Sequence, residues 1–110
     1  MTRWIKLEDY RKNLGRGDLI KFSASYPFEE KVVMMVCENR QSEAKFNLIT
    51  ITGYKAGINP YQILPDECLE QDNVFLDIDW LVRNWTKWVW PDGNINEVWV
   101  RPNLDASELN

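Results

Sequence analysis

The strongest constraint on the fold is a tryptophan-rich stretch at residues 77–91, which holds four of the chain's six tryptophans. At helical period, one face of this stretch collects Leu81, Trp85, Trp88 and Val89. Because a buried tryptophan removes on the order of 200 Å² from water, the stretch is expected to form a helix that supplies much of the core of a small domain. The alternative is that its tryptophans form a platform on which bases or sugars stack.

The ends of this predicted helix are marked by residue types that start and stop helices. Asp77 or Asp79 is expected to cap the start, because a carboxylate accepts hydrogen bonds from the unpaired N–H groups of the first turn. Pro91 is expected to end the helix, since the residue before a proline is pushed out of the α region. Asp79, Arg83 and Lys87 recur at helical spacing, which predicts a solvated face opposite the tryptophans.

Strand signals occur on both sides of the predicted helix. Residues 19–24 and 46–52 alternate apolar and polar side chains, as half-buried strands do, whereas the continuous apolar run at residues 31–37 is typical of a strand covered on both faces. Shorter strand signals occur at three other places: residues 4–7, 61–64 and 96–101. Because short loops join consecutive strands, the sheet should be antiparallel. The sequence therefore predicts an α+β domain with a strongly curved, mainly antiparallel sheet and one tryptophan-rich helix packed on it. Whether the sheet closes like a barrel is left open.

The length of 110 residues fits a single domain spanning residues 1–110, with a core at about residues 4–101 and a polar tail at 102–110. The sequence has no run of about 18 apolar residues that would span a membrane. Charged residues interrupt the N-terminal positions at which a signal peptide would need an apolar segment. These features predict a cytoplasmic protein with no membrane partner, in which Cys37 and Cys68 remain free thiols.

The chain contains no histidine, the residue type that most nucleophile systems, acid–base mechanisms and zinc sites use. No glycine-rich segment has the form of a phosphate-binding loop. Carboxylate pairs such as Asp66 and Glu67 leave glycosidase-type chemistry open, although such pairs are common in acidic proteins. We therefore predict that the chain is not an enzyme and has no catalytic, cofactor-binding or metal-binding residues. A small-molecule ligand is disfavoured for the same reasons.

The net charge of −4 is distributed unevenly along the chain. Residues 1–21 hold six Lys and Arg against three acidic residues, whereas residues 22–110 hold seven against fourteen. No basic residue occurs from position 65 to position 80, a segment that contains six carboxylates: Asp66, Glu67, Glu70, Asp72, Asp77 and Asp79. This segment is either a solvated loop or a patch that meets a basic partner, since complementary potentials steer association.

A second function class also stays open, a small domain that binds single-stranded nucleic acid by stacking. Exposed aromatic residues on a curved sheet would supply the stacking surface: Trp4, Phe22, Tyr26 and Phe28. Basic residues of the N-terminal segment would supply the electrostatics: Arg3, Lys6, Arg11, Lys12, Arg16 and Lys21. The acidic net charge and the lack of a recognition motif count against nucleic acid as a partner.

Four segments carry a resemblance to a known family: WIKL at residues 4–7, GDLIKFSASYPFEE at 17–30, ITGYKAGINPY at 51–61 and WLVRNWTKWVWPDG at 80–93. Together they resemble the immunity protein 45 family of bacterial polymorphic toxin and contact-dependent growth inhibition systems, over about residues 4–101. The resemblance implies a small cytosolic protein, encoded beside a secreted toxin, that binds the toxin domain and neutralises it. The motifs contain no catalytic residues, and the resemblance assigns no toxin-contacting position.

Many toxins of such systems are nucleases with basic substrate clefts, and the base-free acidic segment is the part of this chain that would fit such a cleft. We therefore expect five carboxylates of that segment to be the toxin-binding residues: Glu67, Glu70, Asp72, Asp77 and Asp79. Glu67 and Glu70 are expected to lie in a loop that is free to project. Inhibition could block either the active site or an exosite of the toxin, and the sequence leaves the two open.

Overall fold

The computed structural model describes residues 4–24, 30–39, 45–58, 62–72, 74–91 and 93–103 of the chain. The predicted aromatic positions Tyr26 and Phe28, the basic position Arg3 and most of the polar tail lie outside the described residues. Within the described ranges, six strands form one sheet and an α-helix packs on it. The predicted α+β class is therefore confirmed.

The six strands pair only with antiparallel neighbours. Their bounds are β1 Ile5–Lys6, β2 Leu19–Ser23, β3 Lys31–Glu38, β4 Phe46–Thr50, β5 Gln62–Ile63 and β6 Val98–Arg101. Their order across the sheet is β1-β6-β2-β3-β4-β5, so the last strand of the chain lies between the first two. Within the described ranges β1 and β5 form the two edges, and the sheet is open and not a closed barrel.

The two faces of the sheet differ in burial, and β3 shows the difference most clearly. Val32, Met34 and Val36 are buried, whereas Val33 and Met35 between them are only half-buried. The prediction that this apolar run is covered on both faces is therefore wrong. The run is continuous in the sequence, but the helix covers only one face of the sheet, and successive side chains of a strand point to opposite faces.

The helix α1 comprises Ile78–Trp88, and Asp77 caps its start by accepting hydrogen bonds from the amides of Asp79 at 2.9 Å and Trp80 at 3.4 Å. These bonds satisfy donors of the first turn that have no partner inside the helix. Trp80, which the predicted apolar face did not include, is buried as well. The predicted solvated positions along the helix are exposed: Asp79, Arg83 and Lys87.

The core forms where α1 meets the helix-facing side of the sheet. Leu81, Trp85 and Val89 are buried, while Trp88 is half-buried at the end of the helix. The ring of Phe22 lies 5.3 Å from that of Trp85, centroid to centroid, in an edge-to-face contact. The prediction that Phe22 is an exposed stacking residue is therefore wrong, because β2 turns it towards the helix.

Two further expectations concern the cysteines and the membrane. Cys37 is half-buried, Cys68 is buried, and both are free, as predicted. No helix within the described ranges is long and apolar enough to cross a membrane.

Candidate protein-binding surface

The acidic segment, residues 66–79, is fixed to the rest of the domain by its apolar members. It begins with the 3₁₀ turn Asp66–Cys68, whose last side chain is buried in the core. Leu76, also buried, forms antiparallel bridges with Leu14 on one side and Leu69 on the other. The loop between Leu69 and Leu76 is therefore held at both ends by residues that pack in the core. These contacts fix the backbone from which the charged side chains of the loop project.

Glu70 organises this loop from within. Its carboxylate accepts hydrogen bonds from the backbone amides of Asp72 at 3.0 Å, Val74 at 2.9 Å and Phe75 at 3.4 Å. Its own amide donates to the carbonyl oxygen of Phe75 at 3.0 Å. The amides of Val74 and then Asp72 hold the pKa of the Glu70 carboxyl below its ordinary value. The expectation that Glu70 is free to project is therefore wrong, because its charge is used to hold the loop.

The other four predicted carboxylates divide into two groups. Glu67, Asp72 and Asp79 are exposed, and their charges face water. Asp77 is half-buried, and its carboxylate is engaged as the cap of α1. Of the five predicted residues, three are therefore exposed to water, while Glu70 and Asp77 bind backbone amides of the segment.

The surface also has an apolar part that was not predicted from the sequence. Val74 and Phe75 follow the acidic loop and are 50% and 47% exposed. The sequence presents them with Leu76 as a short apolar run leading into the helix, and only Leu76 of the three is buried. The run lies between a turn and a helix cap, so neither a strand nor a helix periodicity indicates which of its side chains face the core. That position was the only sign in the sequence that some of them could be exposed.

A surface groove of about 480 Å³ lies beside Val74 and Phe75. Its other lining residues are Asn13, Gly15, Arg16, Asp18, Glu38 and Asn103. The carboxylate of Asp18 accepts from the amides of Gly15 at 2.8 Å and Asn103 at 3.2 Å, so it holds two chain segments together. Arg16 and Glu38 form an ion pair with an N–O distance of 3.4 Å. These partners make the groove a preformed polar recess next to an exposed apolar pair.

A second surface lies on the face of the sheet opposite α1, and we call it the basic sheet face. The ammonium group of Lys21 lies 4.5 Å from the ring centroid of Trp4 and 5.4 Å from that of Trp99. The Lys31 ammonium group also lies 5.4 Å from the ring centroid of Trp99. The Arg101 guanidinium lies 6.0 Å from the ring centroid of Trp4. Burial, and secondly the charge of Lys31, lower the pKa of Lys21. Trp4 and Lys21 were predicted members of a nucleic-acid surface, and this face is where the structure places them.

Neither surface has the composition of a metal centre, since no group of three or more His, Cys, Asp or Glu within the described residues could hold a metal ion. The fold and its surfaces together define a small α+β domain with one open sheet, an exposed acidic segment and a basic sheet face.

Comparison with known proteins then places the chain in a family. The sequence model described as Immunity protein 45 matches residues 8–100, which is most of the chain. The chain belongs to the immunity protein 45 family, and the resemblance carried by its sequence motifs is confirmed. No curated protein and no solved structure gives a significant match to the chain.

Proposed function

We propose that the chain binds a cognate bacterial toxin domain in the cytoplasm and neutralises it, as part of a polymorphic toxin or contact-dependent growth inhibition system. The observation that carries this proposal is the family match over residues 8–100, because an immunity protein implies a toxin partner. The proposal includes no chemical step by this chain, since an inhibitor acts by occupying a surface of the toxin.

The acidic segment is the surface that we propose for the toxin contact. Glu67, Asp72 and Asp79 present their charges to water and would meet the toxin, whereas Glu70 and Asp77 would hold the segment in shape. An acidic segment with no basic residue of its own complements a basic surface, and this complementarity speeds encounter and selects the partner. A nuclease domain fits this requirement, because its substrate cleft must attract phosphates. An acidic surface bound in the substrate cleft would block the active site. An acidic surface bound next to the cleft would block an exosite.

The test uses the purified chain and the toxin domain encoded by the neighbouring reading frame. The double variant Glu67→Lys, Asp72→Lys should melt like the parent, associate with the toxin domain more slowly, and show a weaker dependence of binding on salt. The matched control is Glu8→Lys, Glu97→Lys, which changes the charge equally at two exposed positions outside the segment. Equal loss in both double variants would place the contact elsewhere. No binding by the parent would refute the immunity function itself.

A second candidate function, binding of single-stranded nucleic acid, is favoured by the basic sheet face alone. Trp4 and Trp99 are aromatic, and Lys21 and Lys31 add positive charge beside them. The ammonium groups, however, already lie over these rings, so the rings present less surface on which a base could stack. Retention of a thymine oligonucleotide that is lost in the variant Lys21→Glu, Lys31→Glu and kept in Lys87→Glu would favour this second function.

A further inference from the structure

The exposed pair Val74–Phe75 is unusual for this protein because its other described phenylalanines are fully buried. Phe22 and Phe46 are 1% and 0% exposed, while Phe75 leaves 47% of its surface in water. Burying a phenylalanine side chain stabilises the folded state, so leaving one half-exposed forgoes part of that stabilisation. Adjacent exposed apolar side chains rimmed by polar residues mark an interaction site more often than single ones do.

The loop that carries the pair is held in place by the contacts of Glu70 and Leu76. The carboxylate of Glu70 accepts from the amides of both exposed residues, and its amide closes the loop onto the carbonyl of Phe75. Leu76 continues the chain directly into the core and bridges to Leu14 and Leu69. The side chains are therefore presented from an ordered backbone, which lowers the entropy lost when a partner binds them.

Gly15 supports the ring of Phe75 from the side of the domain. A Cβ atom at Gly15 would lie 3.3 Å from Cδ1 and 3.4 Å from Cε1 of that ring, so the absence of a side chain there lets the ring approach the backbone. One edge of the ring therefore packs against the backbone at Gly15, and the rest of the ring is exposed to water. A half-exposed aromatic ring supported in this way is suited to fill a pocket on a partner.

The charges around the pair specify the chemistry of the partner. Asp72 is exposed two positions before Val74, and no basic residue occurs from position 65 to position 80. Among the described residues that line the adjoining groove, the carboxylates Asp18 and Glu38 outnumber the cation Arg16, which is paired with Glu38. The charge of Lys45 also acts on Glu70 in the loop beneath the pair. A second copy of this chain would bring the same acidic charges against these in a symmetric contact, which is unfavourable. The surface therefore fits an apolar socket whose rim carries lysine or arginine.

On these grounds we propose that Val74 and Phe75 are the apolar anchor of the toxin contact, and that Phe75 inserts into an apolar socket with a cationic rim on the toxin domain. The inference rests on the proposed immunity function and adds the central contact to it. The carboxylates around the anchor would then act on the rate of association, and the anchor would act on the rate of dissociation.

The experiment measures binding of the cognate toxin domain to the parent, to Phe75→Ala and to Ile63→Ala. Ile63 is 54% exposed on the edge strand β5, outside the acidic segment, and is the matched control. Phe75→Ala should weaken binding by about 30-fold or more, the range of an interface hot spot, mainly through faster dissociation. Ile63→Ala should bind like the parent, and both variants should melt within a few degrees of it.

A second variant tests the role of the loop that holds the anchor. Glu70→Gln keeps the shape of the side chain and removes its charge, so the amides of residues 72, 74 and 75 should exchange their hydrogens faster and toxin binding should weaken less than in Phe75→Ala. Parent-like binding by Phe75→Ala, or equal weakening by Phe75→Ala and Ile63→Ala, would overturn the inference. Sedimentation showing self-association of the parent that Phe75→Ala abolishes would also overturn it, since the occupant would then be a second copy. Failure of the parent to bind would refute the immunity function instead.

Discussion

Replacing Trp85 by alanine tests the packing of α1 on the sheet. Trp85 is 1% exposed, and its ring contacts that of Phe22 edge to face at 5.3 Å, while Phe22 also contacts the ring of Trp90 at 4.9 Å. Truncating a buried tryptophan costs about 3–5 kcal/mol, and the edge-to-face contact with Phe22 places Trp85 in the upper part of that range. We therefore expect a loss of about 4–5 kcal/mol, which is a large part of the roughly 5–15 kcal/mol that stabilises an ordinary domain.

The measurement is equilibrium unfolding in urea, followed by tryptophan fluorescence and far-ultraviolet circular dichroism. The control is Lys87→Ala, an exposed position on the same helix, which should change the free energy of unfolding by less than about 0.5 kcal/mol. A double-mutant cycle with Phe22→Ala should give a coupling of about 1 kcal/mol between the two rings. If Trp85→Ala unfolded within about 1 kcal/mol of the parent, the tryptophan helix would not be the centre of the core.

Three further predictions concern the acidic segment. Asp77→Ala should cost about 1 kcal/mol in urea unfolding, because two amides of the first turn lose their acceptor, and a cost near zero would contradict the cap. Because backbone amides lower the pKa of Glu70 below its ordinary 4.5, the support that it gives the loop is fully present above pH 4.5 and is lost as the pH falls through the lowered value. Amide chemical shifts of Val74 should report this transition in the parent and not in Glu70→Gln. Burial, with the charge of Asp66, raises the pKa of Cys68 to about 12, so a thiol reagent at pH 8 should label Cys68 only after the protein is denatured.

The helix and its cap were predictable because each depends on neighbours in the sequence. Asp77 stands just before the apolar face, and the recurrence of Leu81 and Trp85 at helical spacing identifies which side is buried. The strands were predictable for the same reason, since alternation is local. Their order was not, because the placement of β6 between β1 and β2 depends on pairing between the two ends of the chain.

The candidate surface was predictable only in its charge. The base-free composition of residues 65–80 is visible in the sequence, and the structure presents Glu67 and Asp72 to water. That Glu70 turns back to bind three amides follows from the path of the loop, which spacing alone does not indicate. The exposure of Phe75 was missed for a related reason, since an apolar residue is expected inside unless the backbone turns it outward.

The basic sheet face lacks a covering layer of helices within the described residues, and this changes the burial of the side chains of β3. The apolar run of β3 would suit burial on both sides, but the structure covers one side with α1 and leaves Val33 and Met35 half-buried. Lys21 on the neighbouring strand β2 lies opposite Val33 on the same face. The open face is therefore a mixed apolar and cationic surface, distinct from the acidic segment in both charge and position.

Survival of bacteria that express a toxin domain from a reading frame beside that of this chain tests the proposed inhibition. Cells that also express the parent chain should grow as cells without toxin do, and the two proteins should purify as a complex. Cells that express Phe75→Ala at the same level should be protected less. Growth arrest in the presence of the parent chain, with no complex between the two purified proteins, would show that the chain does not inhibit this toxin.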